Sequence, residues 1–314
     1  MRILVTGGAG FIGSHLVEAL VERGHTVRVA DNLSTGNLAN LSAVRDRIEF
    51  VECDVSNMAS ARDVVAGVDA ISHQAAIPSV PRSVKDPLES HQTCATTTLN
   101  LLQAAREHNV KRFVFAASSS AYGDCPELPK VESMRPDPRS PYAAAKLAAE
   151  HYISAFAACH GMDAISLRYF NIFGPRQDPS SPYSGVIARF STLMQRGERP
   201  TIFGDGQQTR DFTYVANVVH ANILALTTGD RLNGCCVNIG TGTRISLLDL
   251  VQALNEILGT QLEPRFEAPR AGDVQHSVAS LAQAQGVLGY RPIVEFKEGL
   301  AITLRGEARV RKAA

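Results

Sequence analysis

Apolar and polar positions alternate in blocks along the first 170 residues, and the blocks have two different periods. Short apolar runs rich in β-branched side chains predict buried parallel strands. These runs cover residues 2–6, 26–30, 48–52, 70–73, 113–116 and 164–168, with a further one at 237–239. Segments of helical period separate them, notably 11–23, 94–108 and 142–159. The alternation predicts an α/β fold with a doubly wound parallel sheet of the Rossmann type, covered by helices on both faces.

The pattern changes after Asn171. Glycine and proline cluster between residues 174 and 185, and further helices are predicted at 186–195 and 246–258. We therefore expect a larger domain and a smaller, discontinuous α/β domain. Their predicted boundaries are 1–170 plus 209–242 for the first and 171–208 plus 243–314 for the second. A substrate should bind between them, beyond the carboxyl ends of the strands.

Composition narrows the possible partners of this 314-residue chain. Lys plus Arg and Asp plus Glu number 31 each, so no overall charge favours nucleic acid or an anionic membrane. No apolar run approaches the roughly 20 residues of a membrane span. The six cysteines lack Cys-x-x-Cys spacing, which favours reduced thiols and predicts neither a metal site nor a disulfide framework. Because the chain opens directly on a strand, we expect no signal peptide and a cytoplasmic protein.

A glycine-rich loop joins the first predicted strand to the first helix. Its sequence, TGGAGFIG at residues 6–13, allows a tight turn and a close approach of backbone N–H groups to a pyrophosphate. Asp31 ends the second strand, 18 residues after Gly13. A carboxylate there accepts hydrogen bonds from ribose hydroxyls and repels a 2′-phosphate, so the pattern predicts NAD rather than NADP. The predicted cofactor contacts are Gly7, Gly10, Phe11, Ile12, Gly13, Asp31, Asn32, Gly36, Asp54, Val55, Gln74, Ala75 and Ala76, together with Tyr142 and Lys146.

Tyr142 and Lys146 lie four residues apart on a predicted helix, so their side chains share one face. The pKa of a free phenol is near 10, which is too high for a base at neutral pH. A neighbouring ammonium and a nicotinamide cation both favour the phenolate and allow the tyrosine to act as a general base. Lowering the pKa by about three units requires roughly 4 kcal/mol of phenolate stabilisation. By itself, the spacing is equally typical of an amphipathic surface helix.

Several separated motifs, in order, extend this pattern over nearly the whole chain. A hydroxyl-rich turn follows the fifth strand in FVFAASSSAYG (residues 113–123). LRYFN (167–171), GDG (204–206), Arg210-Asp211 and RAGD (270–273) come later. Together with the glycine loop and the Tyr/Lys pair, these motifs resemble the extended short-chain dehydrogenases/reductases of the nucleotide-sugar 4-epimerase group. In that family Tyr142 would remove the proton from the sugar 4-hydroxyl, and Lys146 would bind the nicotinamide ribose.

The resemblance implies hydride transfer from C4 to tightly held NAD, rotation of the 4-keto sugar and return of hydride to its other face. Ser118, Ser119 and Ser120 are candidates for the hydroxyl partner of the sugar O4, and their roles stay unresolved. The implied substrate contacts are Ser79, Asn171, Val186, Arg210, Arg270, Asp273 and Ser277. Helices 94–108 and 142–159 would pair across a homodimer.

Two features bear on which reaction is performed. Ser119-Ser120-Ala121 occupies the place where related dehydratases and decarboxylases carry a carboxylate, which favours simple epimerisation. The alternative is a UDP-glucuronate 4-epimerase or decarboxylase. Ser277 falls where a bulky tyrosine excludes acetamido sugars, so UDP-N-acetylglucosamine and UDP-N-acetylgalactosamine are expected substrates beside UDP-glucose and UDP-galactose. Cys94 and Thr97 stand where many relatives have Asn and Gly. A non-enzymatic dinucleotide sensor is disfavoured, because both Tyr142 and Lys146 are present.

Overall fold

The computed structural model describes residues 1–177, 185–269 and 275–306. Seven strands form its central sheet: β1 (Arg2–Thr6), β2 (Thr26–Asp31), β3 (Ile48–Glu52), β4 (Ala70–His73), β5 (Arg112–Ser118), β6 (Ala164–Tyr169) and β11 (Cys235–Ile239). All neighbours are parallel, in the order β11-β6-β5-β4-β1-β2-β3. The predicted Rossmann-type sheet is thereby confirmed. The strand order reverses between β1 and β4, where ligands bind in such folds.

Helices cover both faces of this sheet and build the remainder of the chain. They are α1 (Phe11–Glu22), α2 (Met58–Val65), α3 (Val80–Lys85), α4 (Pro87–His91), α5 (Thr97–Glu107), α6 (Pro141–His160), α7 (Val186–Gln195), α8 (Val215–Thr227), α9 (Leu247–Leu258), α10 (Ala282–Leu288) and α11 (Phe296–Leu304). The helix predicted over 94–108 is present as α5, which directly follows a π-helical turn at Gln92–Thr96. Such turns are uncommon and concentrate at functional sites.

Local sequence signals explain where α6 begins and ends. The side chain of Ser140 accepts a hydrogen bond from the Ala143 N–H, and Pro141 occupies the first helical position. A capping serine and a first-turn proline both favour a helix start. Gly161 ends the helix in the left-handed conformation, which glycine adopts without steric cost. These signals fix the start of the helix just ahead of Tyr142.

Short strands connect the second part of the chain to the sheet. They pair as β7 (Ile172–Phe173) with β10 (Thr213–Tyr214), β9 (Thr209–Arg210) with β12 (Ile245–Ser246), and β8 (Thr201–Phe203) with β13 (Arg265–Glu267). The β9–β12 pair is antiparallel and the other two are parallel. None of these pairs belongs to the central sheet, and β7 begins three residues after the carboxyl end of β6.

Among the described residues, the three larger of four apolar clusters hold the molecule together. Alternate residues of β1 point to opposite faces of the sheet, so Ile3 belongs to the cluster under α1 and α8, and Leu4 to the one under α2 and α5. Each fully buried side chain of this size contributes about 1.5–3 kcal/mol relative to exposure. The third cluster joins α7, α9 and α11, and it also takes in Phe212 and Tyr214. The division into two domains remains a prediction.

Candidate active site

The glycine loop after β1 is packed so closely that side chains do not fit. Gly7 has a φ of +66°, and a Cβ there would lie 2.7 Å from the Ala75 backbone. A Cβ on Gly13 would lie 2.1 Å from the Gly7 carbonyl oxygen. Gly10 caps α1 without a side-chain hydrogen bond, so an anion can take the N–H groups of the first turn. This cradle fits the pyrophosphate of a dinucleotide.

Two backbone hydrogen bonds fix the Asp31 carboxylate at the end of β2, where a ribose is predicted to bind. Its side chain is buried, with Oδ2 accepting a hydrogen bond from the Ala9 N–H at 2.9 Å and Oδ1 one from the Leu33 N–H at 2.8 Å. A Cβ on Gly36 would lie 2.8 Å from Oδ1, so glycine leaves the carboxylate accessible from that side. A fixed carboxylate repels a 2′-phosphate. The residues present therefore fit NAD.

The remaining predicted cofactor residues lie around the same edge of the sheet. Asn32 and Asp54 are exposed, and each accepts a hydrogen bond from the N–H two residues later, at 3.1 Å and 2.8 Å. Val55 is buried, and Ala76 is partly exposed after β4. The amide of Gln74 donates to the Asn222 side chain at 3.0 Å, which ties the end of β4 to α8.

Lys146 is a buried cation with fixed partners. Its Nζ donates to the Ala116 carbonyl at 2.8 Å and lies 4.8 Å above the centre of the Phe115 ring. Burial lowers the pKa of this ammonium. His73 packs against Phe115 as well, with 5.6 Å between the two ring centres. Burial and Lys146 lower the pKa of His73 to about 3, so the imidazole is neutral and does not add a second positive charge.

The chain's own groups leave the Tyr142 phenol protonated. Burial raises its pKa above the ordinary value, the nearby Cys94 thiol raises it further, and a hydrogen bond with Ser118 opposes both effects. Lys146 is engaged with Ala116 and is not among the groups that lower this pKa. The expectation that Lys146 depresses the Tyr142 pKa remains a prediction. The positive nicotinamide is the charge that the phenolate still requires.

The serine triplet separates into a pair and a single residue. Ser118 ends β5, and its Oγ lies 2.8 Å from the Ser120 Oγ and accepts the Ser120 N–H at 3.2 Å. Ser119 opens a short 3₁₀ turn that runs to Tyr122. This arrangement favours Ser118 as the hydroxyl partner of Tyr142, with Ser120 orienting it. The roles of all three serines remain predictions.

A cavity of about 310 Å³ is lined by residues between 171 and 212 together with Leu247. Three residues predicted from sequence line it: Asn171, Val186 and Arg210. Sequence reasoning missed other lining residues, among them Gln177, Arg189, Phe203, Gln208 and Phe212. Phe203 directly precedes the GDG motif and Phe212 directly follows Arg210-Asp211, and this adjacency to the motifs could have identified both residues from the sequence. Apolar rings beside an arginine suit a base with an attached diphosphate.

Backbone contacts position the polar wall of this cavity. The Arg210 Nη1 donates to the Thr209 carbonyl at 3.0 Å. Asn171 has a φ of +35°, and its amide donates to the Asp211 carbonyl at 3.3 Å. The Asp211 carboxylate is fully buried and accepts hydrogen bonds from Thr241, Gly242 and Ala279. It thereby joins the segments that border Arg210.

The other predicted substrate residues are more scattered. Ser79 is buried and caps α3, accepting the Arg82 N–H at 3.1 Å. Ser277 is half-buried, and its N–H donates to the Thr209 carbonyl at 3.1 Å. Ser277 is not among the described residues that line the cavity, so its role as a sugar wall stays a prediction. Arg270 and Asp273 lie outside the described residues.

Comparison with known proteins agrees with this geometry. The model of the NAD dependent epimerase/dehydratase family matches residues 3–240. The chain is 40% identical to a UDP-glucose 4-epimerase of Mycolicibacterium smegmatis, over 97% of both chains. Its structure is similar to that of a Thermotoga maritima UDP-glucose 4-epimerase with UDP-glucose (TM-score 0.92, 40% identity, 98% of both chains covered). It also resembles a UDP-N-acetylglucosamine 4-epimerase of Methanobrevibacter ruminantium in complex with UDP-N-acetylmuramic acid (TM-score 0.92, 36% identity, 97% of both chains). The chain therefore belongs to the NAD dependent epimerase/dehydratase family, as a UDP-sugar 4-epimerase of the extended short-chain dehydrogenase/reductase class.

Proposed function

We propose that the enzyme interconverts UDP-N-acetylglucosamine with UDP-N-acetylgalactosamine, and also UDP-glucose with UDP-galactose, by inverting C4 through a 4-keto sugar. The observation that supports the epimerisation is the placement of Tyr142, on the first turn of α6, with Ser118 at the carboxyl end of β5, where Ser118 opposes the rise in the Tyr142 pKa. It puts a proton acceptor and a second hydroxyl on the edge that also holds the glycine loop. Asn171, which lines the cavity proposed for the nucleotide, follows two residues after β6 ends at that edge.

In this proposal the residues of the chain bind, orient and move one proton. Ser118 and Tyr142 hold the sugar O4, and Tyr142 removes its proton and later returns it. Arg210 and Asn171 anchor the diphosphate in the cavity, so the sugar can rotate while the nucleotide stays fixed. Bound NAD supplies the hydride acceptor and, on return, the hydride donor. Lys146 and neutral His73 keep the positive charge beside the cofactor site fixed in position.

Product analysis tests the reaction. Purified protein is incubated separately with UDP-glucose, UDP-N-acetylglucosamine and UDP-glucuronate, and products are resolved by chromatography. We expect C4 epimers from the first two substrates without any added reductant or oxidant. Release of carbon dioxide or formation of a UDP-pentose from UDP-glucuronate would contradict the proposal and favour the decarboxylase, which the carboxylate-free Ser119-Ser120-Ala121 segment argues against.

The proposed acceptance of acetamido sugars depends on Ser277. Replacing this serine with tyrosine should fill the space needed by an N-acetyl group. We expect Ser277→Tyr to lower kcat/KM for UDP-N-acetylglucosamine by about 100-fold, as a loss of roughly 3 kcal/mol. Activity on UDP-galactose should stay within a few-fold, and Ser277→Ala serves as the matched control on both substrates. Equal losses on both sugars in the tyrosine variant would remove Ser277 from the pocket.

We further propose that the enzyme is a cytoplasmic homodimer. The six cysteines carry no disulfide, as a reducing compartment requires. Large apolar side chains are exposed beside α6: Val84 and Leu88 on α3 and α4 are 66% and 80% exposed, and Tyr152 on α6 is 39% exposed. Helices α3, α4 and α6 pack together, so a second copy would cover one continuous patch. Sedimentation should show a dimer that Leu88→Glu converts to monomer; a monomeric wild type would contradict this.

Within the described residues no helix has the length and apolarity to cross a membrane.

A further inference from the structure

The segment that follows β7, residues 174–177, lies against the side of α1 and is called the strap below. The Arg176 Nη2 donates to the Glu18 carboxylate at 2.7 Å, and its Nη1 donates to the Ser14 hydroxyl at 3.1 Å. The side chains of this ion pair are only 13% and 15% exposed. A mostly buried pair with a second hydrogen bond is far less screened than a surface pair. The strap is therefore fixed to the helix by charge.

A second contact joins the same two elements. The His15 Nε2 lies 3.0 Å from the Pro175 carbonyl oxygen, and the imidazole is fully buried. Because a carbonyl only accepts, Nε2 carries the hydrogen and donates. Burial and Arg176 lower the pKa of His15 to about 4, so the contact uses the neutral imidazole at physiological pH.

The strap's backbone depends on these contacts. Arg176 has a φ of +69°, in the left-handed region that non-glycine residues rarely adopt. Gly174 has a φ of +154°, and a Cβ there would lie 2.7 Å from the Val215 side chain. A conformation that the sequence does not favour by itself must be held from outside, and α1 provides the contacts.

Helix α1 and the strap connect the predicted cofactor site with the cavity proposed for the nucleotide. Helix α1 starts in the cradle for the cofactor pyrophosphate. The strap follows Asn171 and ends at Gln177, and both of these residues line the nucleotide cavity. One short helix therefore carries the cofactor loop at its first turn and holds a wall of the substrate cavity from its second turn.

We propose that Ser14, His15 and Glu18 are positioning residues for the nucleotide of the substrate, acting through the strap on Asn171 and Gln177. This inference rests on the proposed function, because it assigns the cavity to the UDP group. It makes the affinity for UDP depend on the same helix whose first turn is predicted to bind the cofactor pyrophosphate. The chemical step at Tyr142 does not depend on the strap.

The test combines Arg176→Met, Glu18→Gln and the double variant in the holoenzyme. We measure UDP affinity by calorimetry, KM and kcat with UDP-glucose, and bound NAD by absorbance. Each single variant should raise both the Kd for UDP and the KM about tenfold, with kcat within about threefold and NAD content unchanged. Because the two groups act as a pair, the double variant should bind UDP no more weakly than either single variant.

Two further variants make the result decisive. Lys297→Met breaks an exposed ion pair with Glu256 at 2.7 Å and should leave UDP affinity unchanged. Arg176→Lys keeps the charge and should restore part of the affinity. A lower melting temperature with unchanged UDP affinity would show a merely structural contact and overturn the inference; if Arg176→Met does not fold, the isosteric Glu18→Gln decides. Wild-type protein that binds UDP but epimerises no UDP-sugar would instead overturn the proposed function.

Discussion

Tyr142→Phe should lower kcat for epimerisation by about 100- to 10,000-fold, because the variant loses the group that removes and returns the O4 proton. The ring itself is retained, so packing of α6 and binding of the substrate should change little, and KM should stay within a few-fold. The measurement is steady-state epimerisation of UDP-glucose by the purified holoenzyme. Bound NAD should remain near wild-type content, since the loss concerns a proton and not the cofactor cradle.

The same helix offers a matched control. Tyr152 is exposed on α6, and Tyr152→Phe removes the same hydroxyl at the same kind of backbone position. Its kcat should equal that of the wild type. A Tyr142→Phe enzyme that epimerises at the wild-type rate would show that another group is the base. Ser118→Ala should then be compared, since Ser118 is the hydroxyl bonded to this phenol.

Gly13→Ala should abolish NAD binding and destabilise the fold by about 3 kcal/mol, as severe overpacking does. The new Cβ would lie 2.1 Å from the Gly7 carbonyl oxygen and 2.8 Å from the Gly8 Cα. These are backbone atoms, so no flexible side chain can move aside, and the loop must open. The measurements are NAD content after purification and the free energy of unfolding in urea.

Gly286→Ala is the matched glycine-to-alanine change, and it should raise the free energy of unfolding where Gly13→Ala lowers it. Gly286 lies inside α10, where an added Cβ meets no atom within 4 Å. Alanine there should raise the free energy of unfolding by about 0.5–1 kcal/mol, because glycine is the poorer helix former. NAD content should not change. Gly13→Ala protein with normal NAD content and stability would show that the loop does not need its glycine.

Much of the fold was accessible from sequence because it rests on local patterns. Strands β1, β2, β4, β5 and β6 are mostly apolar runs buried on both faces, which are among the clearest signals a chain contains, whereas β3 lies at the sheet edge and exposes Glu49 and Glu52. The glycine loop is recognisable because its position between a strand and a helix is itself part of the motif. Asp31 follows from its place at the end of the next strand. In each case the deciding contacts lie within one or two consecutive elements.

Other features depended on segments far apart in the chain. The sequence by itself determined the parallel sheet, the cofactor loop and the Tyr142/Lys146 pair. Only the tertiary structure decided that Lys146 bonds the Ala116 carbonyl, that Ser118 pairs with Ser120, and that Arg176 reaches back to Glu18. Periodicity specifies which face of an element is buried, whereas a hydrogen bond across 158 residues depends on how the elements pack. Such contacts leave no spacing to read along the chain.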